Sequence, residues 1–323
     1  METTAIGKIL KGVGGLYTVR LLSDTVLPVG SVVGCRARGA FRHEHLTPLP
    51  GDTVTLSCPD SPAPAEATSR RGEQAGFAIE AIHGRKNALI RPPVANLDYL
   101  FITMAAASPT PILTTVDKLI AIAEFNGIEP VVVITKNELD PTYADTLLSL
   151  YRTCGFTCFS TSAVQGVGVE PIDLFIRERL NGKIAAFAGA SGIGKFTLMN
   201  RLFPHLQLST SEISRKIERG RHTTRQVELF CLSDDPDCGY IADTPGFSML
   251  DFERFDFFEK EDLPETMREF VPYIGSCRYT KCSHTKEEGC AILEAVRRGE
   301  IPPSRHASYL ELYETLKSKK KWN

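Results

Sequence analysis

The sequence predicts a multidomain chain: an N-terminal β-barrel of the OB-fold type, a central α/β domain on a parallel sheet, and a small, mainly α-helical C-terminal domain. Three observations carry this. Short, partly alternating apolar runs separated by glycine, proline and aspartate fill residues 1–83. From Leu97 apolar strands alternate with helical patterns, and one strand, Lys183–Ala188, runs into a glycine-rich turn at the head of a helix. Near the C-terminus, Cys277, Cys282, His284 and Cys290 crowd into a short segment. A chain of 323 residues is too long for one ordinary core, and the boundaries are placed at 1–83, 84–250 and 251–323.

Composition narrows the class. Hydrophobic residues make up 42% and charged residues 24%, as in soluble globular proteins. No apolar run approaches the roughly 20 residues of a membrane span, and the N-terminus, Met1-Glu-Thr-Thr-Ala5, lacks the basic and apolar regions of a signal peptide. A cytoplasmic chain with reduced thiols and no membrane partner is expected. The net charge of −2 means that any nucleic-acid contact rests on local basic patches. No coiled coil or assembly surface stands out, so a monomer is expected.

In chain order, strands are expected at Gly7–Leu10, Leu16–Leu21, Ser31–Arg38, Asp52–Leu56 and Phe77–Ile82, with Ser61–Gly76 a hairpin loop rich in Pro, Ala, Ser and charge. Arg36, Arg38 and Arg42 have two readings: an RNA-facing patch, or a charged strand edge that prevents edge pairing, with the second slightly ahead. Arg85, Lys86 and Arg91 lead through Pro92-Pro93 into the next segment, read as a hinge.

The α/β pattern begins with strand Tyr99–Met104, a helix over Ile112–Asn126 and the nearly all-apolar strand Pro130–Thr135, as expected inside a parallel sheet. A helix at Tyr143–Cys154 and a strand at Phe156–Thr161 follow. Thr135, Lys136, Asn137 and Glu138, at a strand end, resemble the Asn-Lys-x-Asp box of GTPases, where a carboxylate accepts hydrogen bonds from guanine N1–H and the exocyclic amine. Thr135 replaces Asn and Glu138 replaces Asp. Ser162-Ala163, at the next strand end, looks like the box whose backbone contacts the guanine O6. The turn Gly189, Ala190, Ser191, Gly192, Ile193, Gly194, Lys195, Phe196, Thr197 has strand–turn–helix context and reads as a P-loop. Its N–H groups and helix dipole cradle phosphates, and Lys195 reaches the outer ones. Phe196 stands where a Ser or Thr hydroxyl would bind Mg²⁺, and Thr197 points about 100° away.

Within the basic stretch Arg215–Arg225, Thr223 or Thr224 is a candidate for Mg²⁺ and γ-phosphate. His222 is either a group that orients or activates water, or a solvent-exposed loop histidine. Strands at Val227–Leu232 and Tyr240–Asp243 follow, the second ending in Asp243-Thr-Pro-Gly246; Asp243 is a candidate for holding Mg²⁺ through water and the Gly246 N–H for contacting the γ-phosphate. Phe247 occupies a place where many GTPases carry a water-positioning Gln. Cys277, Cys282, His284 and Cys290 have the ligand count of a closed tetrahedral Cys₃His zinc site, whose metal would supply part of the stability of a small domain. Helices at Cys290–Arg298 and Arg305–Leu316 run into a Lys-rich tail, either a solvated end or a phosphate contact.

The base-reading boxes at 135–138 and 161–163 precede the P-loop and both switches, the reverse of the usual order. A circularly permuted P-loop GTPase is the simplest account. The permuted order, the barrel before it, Arg91-Pro-Pro-Val-Ala-Asn96, Gly220-Arg-His-Thr-Thr224 and the Cys₃His spacing resemble the small-ribosomal-subunit-dependent GTPase A family, often called RsgA or YjeQ, over nearly the whole chain. The resemblance implies an OB-fold, a permuted GTPase domain and a zinc domain. It implies binding of GTP and GDP, Mg²⁺ with the nucleotide, and GTP hydrolysis stimulated by the small ribosomal (30S) subunit, with its 16S rRNA contacted by the flanking domains in late subunit assembly. It makes His222 the candidate catalytic residue, with Lys195 at the phosphates. A second reading keeps nucleotide binding but makes turnover poor, because Phe196 removes a metal-binding hydroxyl. An ATPase or kinase on the same P-loop is disfavoured by Lys136-Asn-Glu138 and the Ser-Ala box.

Overall fold

The computed structural model describes residues 3–25, 27–38, 41, 46–58, 77–90, 92–206, 227–235, 237–243 and 258–318. They belong to two compact units. One comprises Met1–Asp98, Phe175–Ala186 and Ser209–Phe247; the other comprises Tyr99–Leu174, Phe187–Leu208 and Ser248–Asn323. No described helix is long and apolar enough to cross a membrane.

In the first unit, β1 (Thr3–Val13), β2 (Leu16–Leu21), β3 (Val32–Ala37), β4 (Thr53–Cys58) and β5 (Ala78–Ile82) form the barrel. The ladder runs β1-β2-β3-β5-β4 and closes through β1–β4, with β3–β5 parallel and the other pairs antiparallel. Alternate residues fill the interior: Ile9, Val19, Leu21, Val33, Val54, Leu56 and Ile79 are buried. This is the closed five-stranded OB arrangement that the spacing of short runs predicts. Arg38 of the presumptive basic patch pairs with Glu80 (2.7 Å), in keeping with the strand-edge reading; Arg42 lies outside the described residues, as does the 61–76 loop.

The expected hinge is instead ordered backbone: β6 (Ala88–Ile90) and β7 (Pro93–Ala95) form a two-stranded hairpin. Its approach is tied down by Arg85, whose Nε and Nη2 each donate at 2.7 Å to the two oxygens of the fully buried Asp52. A bidentate pair of this kind removes the freedom a hinge requires. The same unit holds residues 184–186 of β11 (Ile184–Ala188), parallel to β13 (Tyr240–Asp243), which is antiparallel to β12 (Glu228–Cys231). β12 also pairs with barrel strand β1 at Lys11↔Glu228.

In the second unit β8 (Leu97–Ala105), β9 (Glu129–Thr135) and β10 (Thr157–Ser160) are parallel neighbours in the order β10-β9-β8, with Phe101 beside Val131 and Val131 beside Thr157. Val131–Ile134 are wholly buried, which explains a strand with no alternation. The connecting helices are α1 (Leu113–Phe125) and α2 (Pro141–Thr153). Asp140 caps α2 by accepting the Tyr143 N–H (2.9 Å), so the helix starts two residues before the expected Tyr143; Asp-Pro was the readable signal. After α3 (Glu170–Arg179) and β11 comes α4 (Lys195–Leu202).

The C-terminal segment packs in this same unit. Two short 3₁₀ turns, α5 (Ala291–Arg297) and α6 (Pro303–Ser318) surround Leu263, Met267, Phe270, Ile292, Ala295, Ile301 and Tyr309, and Ala121 of α1 joins that core. Beneath it, Arg305 of α6 is fully buried. Its Nε and Nη2 donate to Glu269 (2.6 and 3.3 Å), and Nη1 donates to Asp117 Oδ1 of α1, which also accepts from Tyr151 OH of α2 (2.9 Å). Burial pushes the Asp117 carboxyl up, and the Arg305 charge opposes that shift.

Candidate functional site

The corner forms where β8, β9 and β10 end against the turn after β11. Phe187, near the end of β11, stacks on Phe101 of β8 (centroids 4.7 Å), and Thr103 Oγ1 donates to Ala188 O (2.6 Å). The turn then departs at Gly189, φ +144°, where a Cβ would lie 2.4 Å from Thr103 O. Only glycine fits that approach. Gly194, φ +89°, is the N-cap of α4, so Lys195 opens the helix as the P-loop reading requires. Ser191 and Gly192 are exposed while Ile193 is buried, which anchors the loop and leaves its crest free.

The two strand-end segments expected to read the base come together here, and Thr135 and Lys136 of the first meet this loop directly. Thr135 Oγ1 lies between the carbonyls of Met104 (3.0 Å) and Ile193. Lys136, held at φ +54°, donates through Nζ to Ser108 O and to Gly192 O (2.7 Å). Its stem passes Gly194, where a Cβ would sit 3.8 Å from Lys136 Cε. The two boxes are joined to each other: Asn137 N–H donates to Thr161 O (3.3 Å) and Asn137 Nδ2 to Ser160 Oγ (3.2 Å). Asn137 therefore braces the corner with its amide. Ser162 is buried and its loop closes by Gly166 N–H to Ser162 O (2.8 Å); Arg201 of α4 donates to Ala163 O (3.2 Å). Glu138 Oε2 is buried and has no hydrogen-bond partner. A buried carboxylate oxygen without a donor is costly.

Position 196 behaves differently. The half-buried Phe196 ring takes the Lys195 ammonium at 5.4 Å from its centroid, and Thr197 is exposed. An aromatic face offers no oxygen to a hard cation such as Mg²⁺, so the fit fails at this residue. Asp243 ends β13, but its side chain lies outside the described residues, as do His222, Thr223, Thr224, Gly246 and Phe247.

The second constellation is the cysteine–histidine cluster. Cys277, Cys282, His284 and Cys290 bring their ligand atoms within 4.8 Å of one another. Cys277 Sγ to Cys290 Sγ is 3.9 Å, and His284 Nδ1 lies 3.5 Å and 3.4 Å from those two sulfurs. Tetrahedral zinc with ordinary bond lengths implies S–S edges of about 3.8 Å and S–N edges of about 3.5 Å, so the cluster fits that ion. Surrounding bonds set the ligands: His306 Nε2–H donates to His284 O (2.9 Å), Tyr309 OH to Ser283 O (2.7 Å), and Ala291 N–H to Cys277 Sγ (3.4 Å). Glu287 accepts from the N–H groups of Ser283 and Thr285 (2.9 and 3.0 Å). Thr103, Ser108, Arg201 and the Arg305 cluster were not anticipated, because they act by long-range contacts that carry no local pattern.

Two family profiles match parts of the chain. A profile of the RsgA GTPase family matches residues 82–253, and one of the RsgA N-terminal domain matches residues 6–62. The chain is 37% identical over 316 residues to the small ribosomal subunit biogenesis GTPase RsgA of Caldanaerobacter subterraneus subsp. tengcongensis, covering 98% of this chain and 97% of that one. It is 38% identical to the protein of the same description from Ruminiclostridium cellulolyticum, covering 97% and 94%. Among solved structures, YjeQ from Thermotoga maritima superposes with a TM-score of 0.78 at 30% identity, covering 98% of this chain and all of that one. YloQ, described as a circularly permuted GTPase, does so at 0.76 and 29%, covering 99% and 98%.

Proposed function

The chain belongs to the RsgA GTPase family and is a GTP hydrolase; we propose that it acts in late maturation of the small (30S) ribosomal subunit, binding 16S rRNA and hydrolysing GTP to GDP and phosphate when that subunit stimulates it. The observation that carries the nucleotide reading is the corner itself: Lys136 bridges to the P-loop at Gly192, and beside it Glu138 keeps a buried, unpartnered carboxylate oxygen. Guanine brings N1–H and an amine to that oxygen, whereas adenine has no such pair of donors. The relatives' descriptions support the ribosomal role.

The parts divide the work as follows. Residues 1–83 and 251–323 contact rRNA, and 84–250 holds the nucleotide. Thr135, Lys136, Glu138, Ser162 and Ala163 face the base, with Asn137 bracing them. Gly189–Thr197 cradle the phosphates, and Lys195 neutralises charge as the leaving group departs. His222 orients or activates water, since Phe247 lacks the polar group to do so. Thr223 or Thr224 and Gly246 contact the γ-phosphate. Cys277, Cys282, His284 and Cys290 would hold zinc, which would supply structural stability. Asp243 and a switch threonine would hold Mg²⁺ accompanying the nucleotide, with no oxygen from position 196, and the ion would supply neutralisation of phosphate charge. The protein works as a cytoplasmic monomer.

The test is turnover of GTP and of ATP, each with and without small subunits. GTP-selective, subunit-stimulated turnover is expected; equal use of ATP, or indifference to subunits, overturns the reading.

A second reading is favoured by Phe196: guanine nucleotide is held but turned over poorly, because the Lys195 ammonium rests on the ring and the metal loses a ligand. It predicts that Phe196→Ser raises Mg²⁺-dependent turnover. If the original chain already hydrolyses GTP as fast, with the same Mg²⁺ dependence, this reading fails.

A further inference from the structure

We infer that Cys231 and Cys238 form a peroxide-sensitive dithiol, a modification site separate from the nucleotide corner and from the Cys₃His cluster. β12 ends at Cys231, directly across from Tyr240 of β13. Residue 238 precedes Tyr240 by two and so lies on the same face, diagonal to Cys231. Leu232 N–H to Gly239 O (2.9 Å) and Cys238 N–H to Asp235 O (3.1 Å) fix the turn that sets the two cysteines side by side. Both cysteines are free thiols.

The third member is Arg20 from barrel strand β2, nearly buried. Its Nη1 donates to Cys231 Sγ at 3.1 Å, and Nη2 donates to the carbonyls of Asp234 (3.0 Å) and Asp235 (2.8 Å). The guanidinium is therefore pinned against sulfur. Lys8 places a second cation 5.3 Å from the Tyr240 ring centroid. A fixed positive charge at a thiol stabilises the thiolate and repels a metal ion, so the pair suits redox chemistry better than metal binding. The hydrogen bond from Cys231, assisted by Arg20 and opposed by burial, brings the Cys238 thiol down to about 6, while its partner is pushed up. At neutral pH the pair thus holds one thiolate beside one thiol. The solitary thiols of Cys35, Cys154 and Cys158 are pushed the other way, to about 12, chiefly by burial.

The chemistry balances with a hydroperoxide as oxidant. The thiolate sulfur attacks the terminal peroxide oxygen, the O–O bond breaks, and the departing alkoxide or hydroxide takes a proton. The resulting sulfenic acid is displaced by the neighbouring thiol sulfur, releasing water and forming the Cys231–Cys238 disulfide. Two thiols lose two electrons in all, and one O–O bond gains them. Cys238 is buried, so the oxidant reaches its sulfur past half-exposed Cys231. Oxidation also removes the thiolate charge of the pair whose other sulfur, Cys231 Sγ, Arg20 contacts.

The experiment exposes the full, zinc-loaded chain to equimolar hydrogen peroxide at pH 7, quenches with iodoacetamide and digests with trypsin. Cleavage after Arg225 and Arg254 leaves both cysteines on one peptide. That peptide is expected to lose two hydrogens, to gain no alkyl group and to revert with dithiothreitol, at a rate that rises through about pH 6. Cys238→Ser should abolish the disulfide, and Arg20→Gln should slow its formation about threefold to tenfold. Should Arg20→Gln fail to fold, the pH profile of the unaltered chain decides. Full alkylation of both thiols at a peroxide dose that already oxidises Cys277–Cys290, or equal yields of disulfides to other cysteines, overturns the inference.

Discussion

Glu138 is the side chain proposed to read the base. Its carboxylate replaces the shorter one of the usual box, yet Oε2 still ends buried without a donor, so the extra methylene has not carried it into solvent. Glu138→Gln keeps the shape and removes the charge, at the cost of a charge-assisted acceptor. GDP affinity is expected to fall about 10- to 100-fold, with affinity for adenine nucleotides unchanged. Titration with fluorescent GDP and ADP reads this directly; parallel losses for both would mean that Glu138 shapes the loop and does not read the base. Lys136, Glu138, Gly189 and Gly194 were legible in advance because each has a local reason. A strand end, a φ that only glycine tolerates and a helix start all leave marks within a few residues. Asn137 was legible as a member of the box but not as its brace, since its partner Ser160 lies a helix and a strand away.

Among the elements, the contact of α6 with α1 and α2 is the least visible in sequence and the most buried. Arg305, Asp117 and Glu269 have almost no exposed side chain. Removing one partner strands the others without water. Arg305→Met is therefore expected to destabilise the chain by about 3–5 kcal/mol, measured as a lowered urea midpoint, while a triple change that also replaces Asp117 and Glu269 by apolar residues should recover much of the loss. The Cys₃His segment responds to a different lever. A chelator that removes zinc should free three thiols and abolish amide protection over 277–290, whereas α6 should stay protected where Arg305 anchors it; protection lost equally along both would show that the metal alone holds the segment. The order of strands and helices was readable because buried parallel strands are continuously apolar. The hairpin at the expected hinge was not readable, because a pair of prolines looks the same before a flexible joint as before a tight hairpin. Only the distant Asp52 distinguishes the two.

For the molecule as a whole, permutation places the Asp243–Gly246 box just ahead of the zinc segment in sequence. If the γ-phosphate biases that junction, the affinity for small subunits should differ between GDP and a non-hydrolysable GTP analogue. Sedimentation of the complex measures it, and equal affinities would remove the proposal. A more practical matter follows from the way β1 continues past the barrel to pair with β12 at Lys11 and Glu228. Deleting residues 1–83 would do more than take away one module: it would unzip a shared ribbon and leave the flank of β12 with bare amides and carbonyls, a surface prone to intermolecular stacking. Such a truncated product would precipitate for reasons unconnected with RNA, and point substitutions on the intact chain are the cleaner way to ask what the barrel does.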